Sequence, residues 1–312
     1  MIEDAPAIRP GHPRVDPDVG CRTRPDRGTS GRVRVVLTQG HTWRRAGCPV
    51  SCLLVAVVDW LQLQDPGVEV AALLDRAERE PSTEVWERLD KLLIVEAECW
   101  YSAGFAALPR LSALAYSGAA EHRAHAIDLA AMIAMTLHRH HRDDDLVRAN
   151  PAALATLHRL AASRLPSMSG GQLLRSFQAA CALAGYTFWA TISLDFTDEH
   201  YRTHCPHCAT PLMIVIGDYG HYAAIRDHDE GDILRTPLHP MEPETLHGFR
   251  RWMHDTAVAC GDPILADGLT YLFGDATCSS CHSVFNVADW HEAENSPAQP
   301  IDPVIPRVDR ST

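Results

Sequence analysis

Two cysteine pairs carry the clearest chemistry in this chain of 312 residues: Cys205-Pro-His-Cys208 and Cys278-Ser-Ser-Cys281. A C-x2-C spacing presents two thiolates from one tight turn, and two such turns complete a tetrahedral four-sulfur shell. Zinc suits that shell, because it has no redox chemistry and no geometric preference of its own. Cys205, Cys208, Cys278 and Cys281 are therefore expected to hold one Zn2+ per chain. Four thiolates leave no position for a water molecule, so the ion is expected to be structural and not catalytic. A redox dithiol would need a single pair at a helix start. His204, His207 and His282 flank the pairs. Such neighbours can replace a thiolate, but more often they support a ligand or face solvent.

Other residues with ligand chemistry are less organised. His138, His140 and His141 precede Asp143-Asp144-Asp145 at the end of a helical pattern, where histidines suit the negative end of the helix dipole. His228-Asp229-Glu230-Gly231-Asp232 reads as a polar loop, without the ligand ladder of a calcium site. His41, Cys48 and Cys52 form a loose set of the kind that chance supplies. Cys99 beside Trp100, and Cys181 among alanine and leucine, read as buried thiols. No H-E-x-x-H, G-x-S-x-G or P-loop pattern is present.

The elements that must position the cysteines can be read from the pattern around them. Residues 211–217 and 220–226 predict a hairpin after the first pair, and residues 283–287 a strand after the second. This part of the chain resembles a zinc ribbon over residues 203–290. Its spacing is unusual, since 69 residues separate Cys208 from Cys278, against about 15–20 in a simple ribbon. Leu246, Phe249, Trp252, Met253 and Ala257 predict a helix over 243–260, and Leu265, Leu269 and Leu272 a second over 263–273. A helical pair is thus expected between the two cysteine turns.

Residues 66–186 read as a short first helix and then five more, with short links. Val68, Ala72 and Asp75 set the spacing of the first. Ser82 is a candidate N-cap for a second, which carries Val85, Leu89, Leu92 and Leu93. A third covers 101–116 with Pro109 inside, after which Gly118 is expected as a left-handed terminator. The fourth pattern opens at Glu121 with Ile127, Ala131, Ala134 and Met135 on one face. Another starts at Asn150-Pro151, and a last one carries Leu173, Leu174, Phe177, Cys181 and Ala184. Ser82 and Glu121 lie 39 residues apart, close to the HEAT period of about 40; an ordinary helical bundle is the alternative. The stretch Tyr101-Ser-Ala-Gly-Phe-Ala-Ala-Leu-Pro-Arg-Leu-Ser-Ala-Leu-Ala115 resembles bacterial HEAT-like helical-repeat proteins, some of them immunity proteins of toxin systems. That resemblance implies protein binding.

The expected fold is mainly α. It comprises HEAT-like antiparallel hairpins over residues 58–186, then a small α+β zinc-ribbon unit with a helical insert over 187–294. Residues 1–57 are rich in Pro, Gly and Arg and read as disordered, or as untranslated with the true start at Val57 or Val58. Residues 295–312, with Pro297, Pro300, Pro303 and Pro306 in a three-residue repeat, read as an extended tail.

The net charge of −12 is unevenly placed. Residues 1–58 hold nine arginines and five acids, for +4. Residues 59–185 hold 12 basic and 16 acidic residues, for −4, and 186–294 hold 5 and 17, for −12. Affinity for phosphates needs cation clusters, so the acidic C-terminal unit argues against nucleic acid and for a basic protein partner. The longest apolar run has eleven residues, short of the roughly 20 that span a bilayer. A cytoplasmic, non-enzymatic interaction module is the expectation. The rivals are a hydrolase using His and acidic residues of the C-terminal half, and a transcription-associated zinc-ribbon protein.

Overall fold

The computed structural model describes residues 66–136 except 97 and 100, then 150–225 and 234–295. These residues form ten α-helices and eight short strands. The chain is mainly helical with a small antiparallel sheet.

Six helices come first: α1 (Gly67–Arg79), α2 (Thr83–Leu93), α3 (Ser102–Ser117), α4 (Ala120–Met135), α5 (Pro151–Arg164) and α6 (Gly170–Leu183). They pack as successive pairs, α1 on α2, α3 on α4 and α5 on α6. The odd helices pack in one row, α1 on α3 and α3 on α5, while α2, α4 and α6 pack in a second row. Ser82 caps α2, its hydroxyl accepting from the Val85 N–H at 3.4 Å. A two-residue hairpin, β1 (Ile94–Val95) with β2 (Glu98–Cys99), links α2 to α3. Phe105, Leu108, Leu111, Leu114 and Ala115 are buried along α3, as their spacing requires.

Two local expectations are corrected. In α1 the inward face is Val70, Leu73, Leu74 and Ala77, whereas Val68 is 59% exposed. Both faces keep helical spacing, and the one with two leucines removes more apolar area from water. Gly118 terminates α3 with φ −71° and ψ 169°, which is extended backbone and not a left-handed turn. Glycine is needed there for another reason: a Cβ would sit 2.6 Å from the Leu114 carbonyl oxygen.

A short helix, α7 (Thr187–Thr191), leads into a four-stranded antiparallel sheet of order β3-β4-β5-β6: Asp198–His204, Pro211–Gly217, Gly220–Ala224 and Arg235–Pro237. Tyr201 pairs with Ile214, and Ile214 with Ala223, so these side chains share one sheet face. That face belongs to the same buried cluster as the helices. Met213, Val215, Tyr222 and Ala224 alternate onto the other face, as a two-residue period demands. The helical pair expected between the cysteine turns is present as α8 (Gly248–Ala259) and α9 (Pro263–Leu272). Residues Pro243–Thr245 form a separate 3-10 turn, so α8 starts later than its apolar pattern does. A hairpin of β7 (Asp275–Thr277) and β8 (Val284–Asn286) then runs directly into α10 (Val287–Asn295).

The inserted pair joins the sheet to the helices. In α8, Phe249 stacks on Tyr186 at 3.4 Å between ring centroids, and Trp252 stacks on Phe177 of α6 at 5.7 Å. His158 of α5 meets Trp252 at 5.2 Å. α9 packs under β4, where Gly268 is required because a Cβ would come within 2.1 Å of the Phe196 ring. One buried cluster runs from Val70 to Ala288, without a break between the hairpins and the sheet unit. Among the described residues, no helix is long and apolar enough to cross a membrane.

Candidate metal centre

Both cysteine pairs sit in the tips of hairpins. The first occupies the turn between β3 and β4, the second the turn between β7 and β8. The two turns repeat one hydrogen-bond pattern. Cys205 N–H donates to Thr210 C=O at 2.8 Å and Cys278 N–H to Ser283 C=O at 3.0 Å. Ala209 N–H returns to Cys205 C=O at 2.9 Å, and His282 N–H to Cys278 C=O at 2.9 Å. The fifth residue of each turn is left-handed, with φ 56° at Ala209 and 62° at His282. In the first turn the His207 N–H also points at Cys205 Sγ, 3.4 Å away.

The sheet brings these turns together across the long insert. β7 is tied to the end of β6 by paired bonds between His239 and Asp275, both 2.9 Å, and by the Thr236 hydroxyl donating to Thr277 C=O at 2.6 Å. The four sulfurs consequently converge, all lying within 4.8 Å of one another. Cys205 Sγ is 3.6 Å from Cys281 Sγ, and Cys208 Sγ is 3.8 Å from Cys278 Sγ. Sulfurs about 2.3 Å from a central ion at tetrahedral corners lie about 3.8 Å apart, so the spacing fits a metal shell. All four are free thiols, and the contacts are far longer than a sulfur–sulfur bond of about 2.05 Å. The cluster can hold a metal ion.

The first cysteine of each turn is buried, with Cys205 1% and Cys278 0% exposed. Cys208 is exposed and Cys281 half-buried. Burial pushes the Cys205 thiol up to about 11. Cys208 lies 3.2 Å from the Thr210 hydroxyl, and hydrogen bonds from that hydroxyl and from the Thr210 backbone lower it to about 6. Ser283 lowers Cys281 in the same manner. Thiolate is the form that binds metal, and the two outer sulfurs are held towards it.

Two features lay unread in the sequence. The first is the hydroxyl two residues after each pair, Thr210 and Ser283; the repeated Cys-x-x-Cys-x-Thr/Ser pattern was its signal. The second is α10. Its Glu294 accepts from the Thr203 hydroxyl and pairs with His204 Nδ1, and it also takes the His204 N–H at 3.2 Å. Burial alone would raise the Glu294 carboxyl, but those hydrogen bonds outweigh it and hold the group below its ordinary value. Trp290 Nε1 donates to His204 C=O. The helix that follows the second turn thereby grips the strand that precedes the first.

The flanking histidines stand outside the sulfur cluster: His204 faces Glu294, and His207 and His282 are exposed. Cys99 and Cys181 are buried as expected, and burial drives the Cys181 thiol far above its ordinary value. In the His- and acid-rich part of the sheet, His200 Nε2 lies 3.1 Å from Asp198 and the Ser193 hydroxyl donates to Glu199. Burial raises Glu199. Among the described residues, the four cysteines are the one group of three or more ligand side chains that converge. His41, Cys48, Cys52, the 138–145 cluster and residues 228–232 lie outside the described residues. Comparison of the chain with known protein families, with curated proteins and with solved structures found no match.

Proposed function

We propose that this protein is a non-enzymatic, cytoplasmic interaction module in which one structural Zn2+ holds a zinc-ribbon-like unit closed, and that its partner is a basic protein. The observation that carries the metal assignment is the convergence of four sulfurs from two turns of matching backbone design. Cys205, Cys208, Cys278 and Cys281 would hold the ion, which would cross-link two hairpins 69 residues apart in sequence and so fix the inserted helices α8 and α9. Zinc is favoured because four thiolates and a tetrahedral spacing suit it best.

The interaction reading has separate support. The two-row packing of α1–α6 suits HEAT-like hairpins and gives the helical part a continuous surface. The charge of −12 over residues 186–294, from 17 acids and 5 arginines, favours a cationic partner and opposes a polyanion. Immunity-type binding of a basic toxin domain is one such role, and it rests on the resemblance at Tyr101–Ala115 alone. The test is fluorescence anisotropy of the zinc-loaded chain against labelled protamine and against a labelled DNA duplex, at physiological salt. Protamine binding without DNA binding is the expected result. DNA binding that falls steeply with salt would replace this reading with a transcription-associated one.

A further inference from the structure

We propose that the groove between α2 and α4 is the part of this surface that takes an arginine side chain of the basic partner. This rests on the basic-partner reading above and gives it a location. The two helices are neighbours in the same row. Thr83, Trp86, Glu87 and Asp90 line the groove from α2, and His125, Asp128, Leu129 and Met132 from α4, around a cavity of about 280 Å³. Each set follows the i, i+3, i+4, i+7 spacing of one helix face, so the two walls run along the full contact.

The lining divides by chemistry. Trp86 and Leu129 are 3% and 5% exposed and form the apolar back, with the half-buried Met132 beside them. The Trp86 ring is fixed in place: its Nε1 donates to His122 Nδ1 at 3.1 Å, and His125 stacks on it at 5.8 Å between centroids, 17° from parallel. Glu87 and Asp90 stand exposed on one wall and Asp128 on the other. Among the described residues, Asp128 has one cationic neighbour, Arg164, at 3.4 Å. The α2 carboxylates are different. Acids of the neighbouring α1 are committed to ion pairs, Glu69 to Arg88 and Glu78 and Asp75 to Arg110, whereas Glu87 and Asp90 make none among the described residues. An apolar back with carboxylates on both sides matches one kind of group, a long alkyl stem ending in a cation. Arginine fits better than lysine, because its planar fork can bond two carboxylate oxygens at once.

The test is titration of the full-length, zinc-loaded chain with labelled hexa-arginine, hexa-lysine and hexa-glutamine peptides at low ionic strength, read by anisotropy. Hexa-arginine is expected to bind most tightly and hexa-glutamine not at all. The double variant Glu87→Gln/Asp90→Asn should weaken hexa-arginine about fivefold or more. The variant Glu242→Gln/Glu244→Gln removes the same charge far from the groove in sequence and should leave affinity unchanged. Thr83→Arg places a cation of the chain's own at the groove mouth and should also block the peptide. Equal loss in the two charge-removing variants would show diffuse attraction only and overturn the groove. Protamine binding that survives Glu87→Gln/Asp90→Asn and Thr83→Arg would overturn it too, while leaving the basic-partner reading intact. Binding of neither protamine nor hexa-arginine would remove both.

Discussion

At the residue scale, each sulfur is set by the backbone of its own turn. The left-handed position after the second cysteine falls on Ala209 and His282, not on glycine. A Cβ in that region costs about 1–2 kcal/mol, and glycine gives back part of the relief as greater freedom in the unfolded chain, about 0.5–1 kcal/mol. Ala209→Gly should therefore raise stability by about 0.5–1 kcal/mol, whereas Ala209→Val should lower it; calorimetric Tm values of the zinc-loaded variants decide this. A second prediction concerns His158, which is buried between Trp252 and the Ala180 carbonyl, with its Nδ1 3.0 Å from that oxygen. Burial holds its pKa below the ordinary 6.5, and burial does the same to His291. Their folded values lie under their unfolded ones. Their contribution is thus fully present above about pH 6.5 and is lost as pH falls from there through the folded values. Urea midpoints taken from about pH 7.5 down to about pH 5.5 should fall. The slope should be shallower in His158→Gln, though not flat, because His291 remains. An unchanged slope would show that His158 titrates alike in both states.

At the element scale, much was legible because it is local. Apolar spacing placed α3, α6 and α9, and the C-x2-C pairs announced both turns. What stayed hidden depends on partners distant in the chain. Nothing in Asp198–His204 alternates cleanly enough to mark β3, which is a strand because Leu212, Ile214 and Ile216 pair beside it. Residues 287–295 look too polar for a helix with a core face, yet Val287, Ala288 and His291 are buried by the sheet unit. α1 forms where its spacing placed it, but its buried face is Val70, Leu73, Leu74 and Ala77, which Val68, Ala72 and Asp75 did not point to. The fit of the insert against the bundle was likewise invisible: Phe249 and Trp252 were legible as apolar positions, but not as a stack with Tyr186 and Phe177. That stack makes a prediction. Trp252→Ala removes the ring shared by α5, α6 and α8, and should cost about 2–4 kcal/mol in urea unfolding. Trp252→Phe keeps much of the stack and should cost less. A loss no greater in the alanine variant than in the phenylalanine one would show that α8 is held by other contacts.

At the scale of the whole molecule, the sheet unit is no appendage. Its inner face shares one core with the hairpins, Arg250 of α8 pairs with Asp289 of α10, and Trp189 of α7 meets Phe273 edge-on at 5.7 Å. An ion at the four sulfurs would therefore stabilise more than its two hairpins, since whatever binds the folded state alone stabilises all of it. The acidity is also placed at this scale. It is concentrated in residues 186–294, which carry the four cysteines, and the groove of α2 and α4 offers Glu87 and Asp90, for which there is no ion pair among the described residues. The most direct test of this account is the metal content of the native chain, by mass spectrometry of purified protein, beside that of Cys205→Ser/Cys278→Ser. The account predicts close to one zinc per native chain, little in the double variant, and a Tm lowered by chelator in the first but not in the second. A native chain that carries no metal, and whose Tm responds neither to zinc nor to chelator, would contradict it.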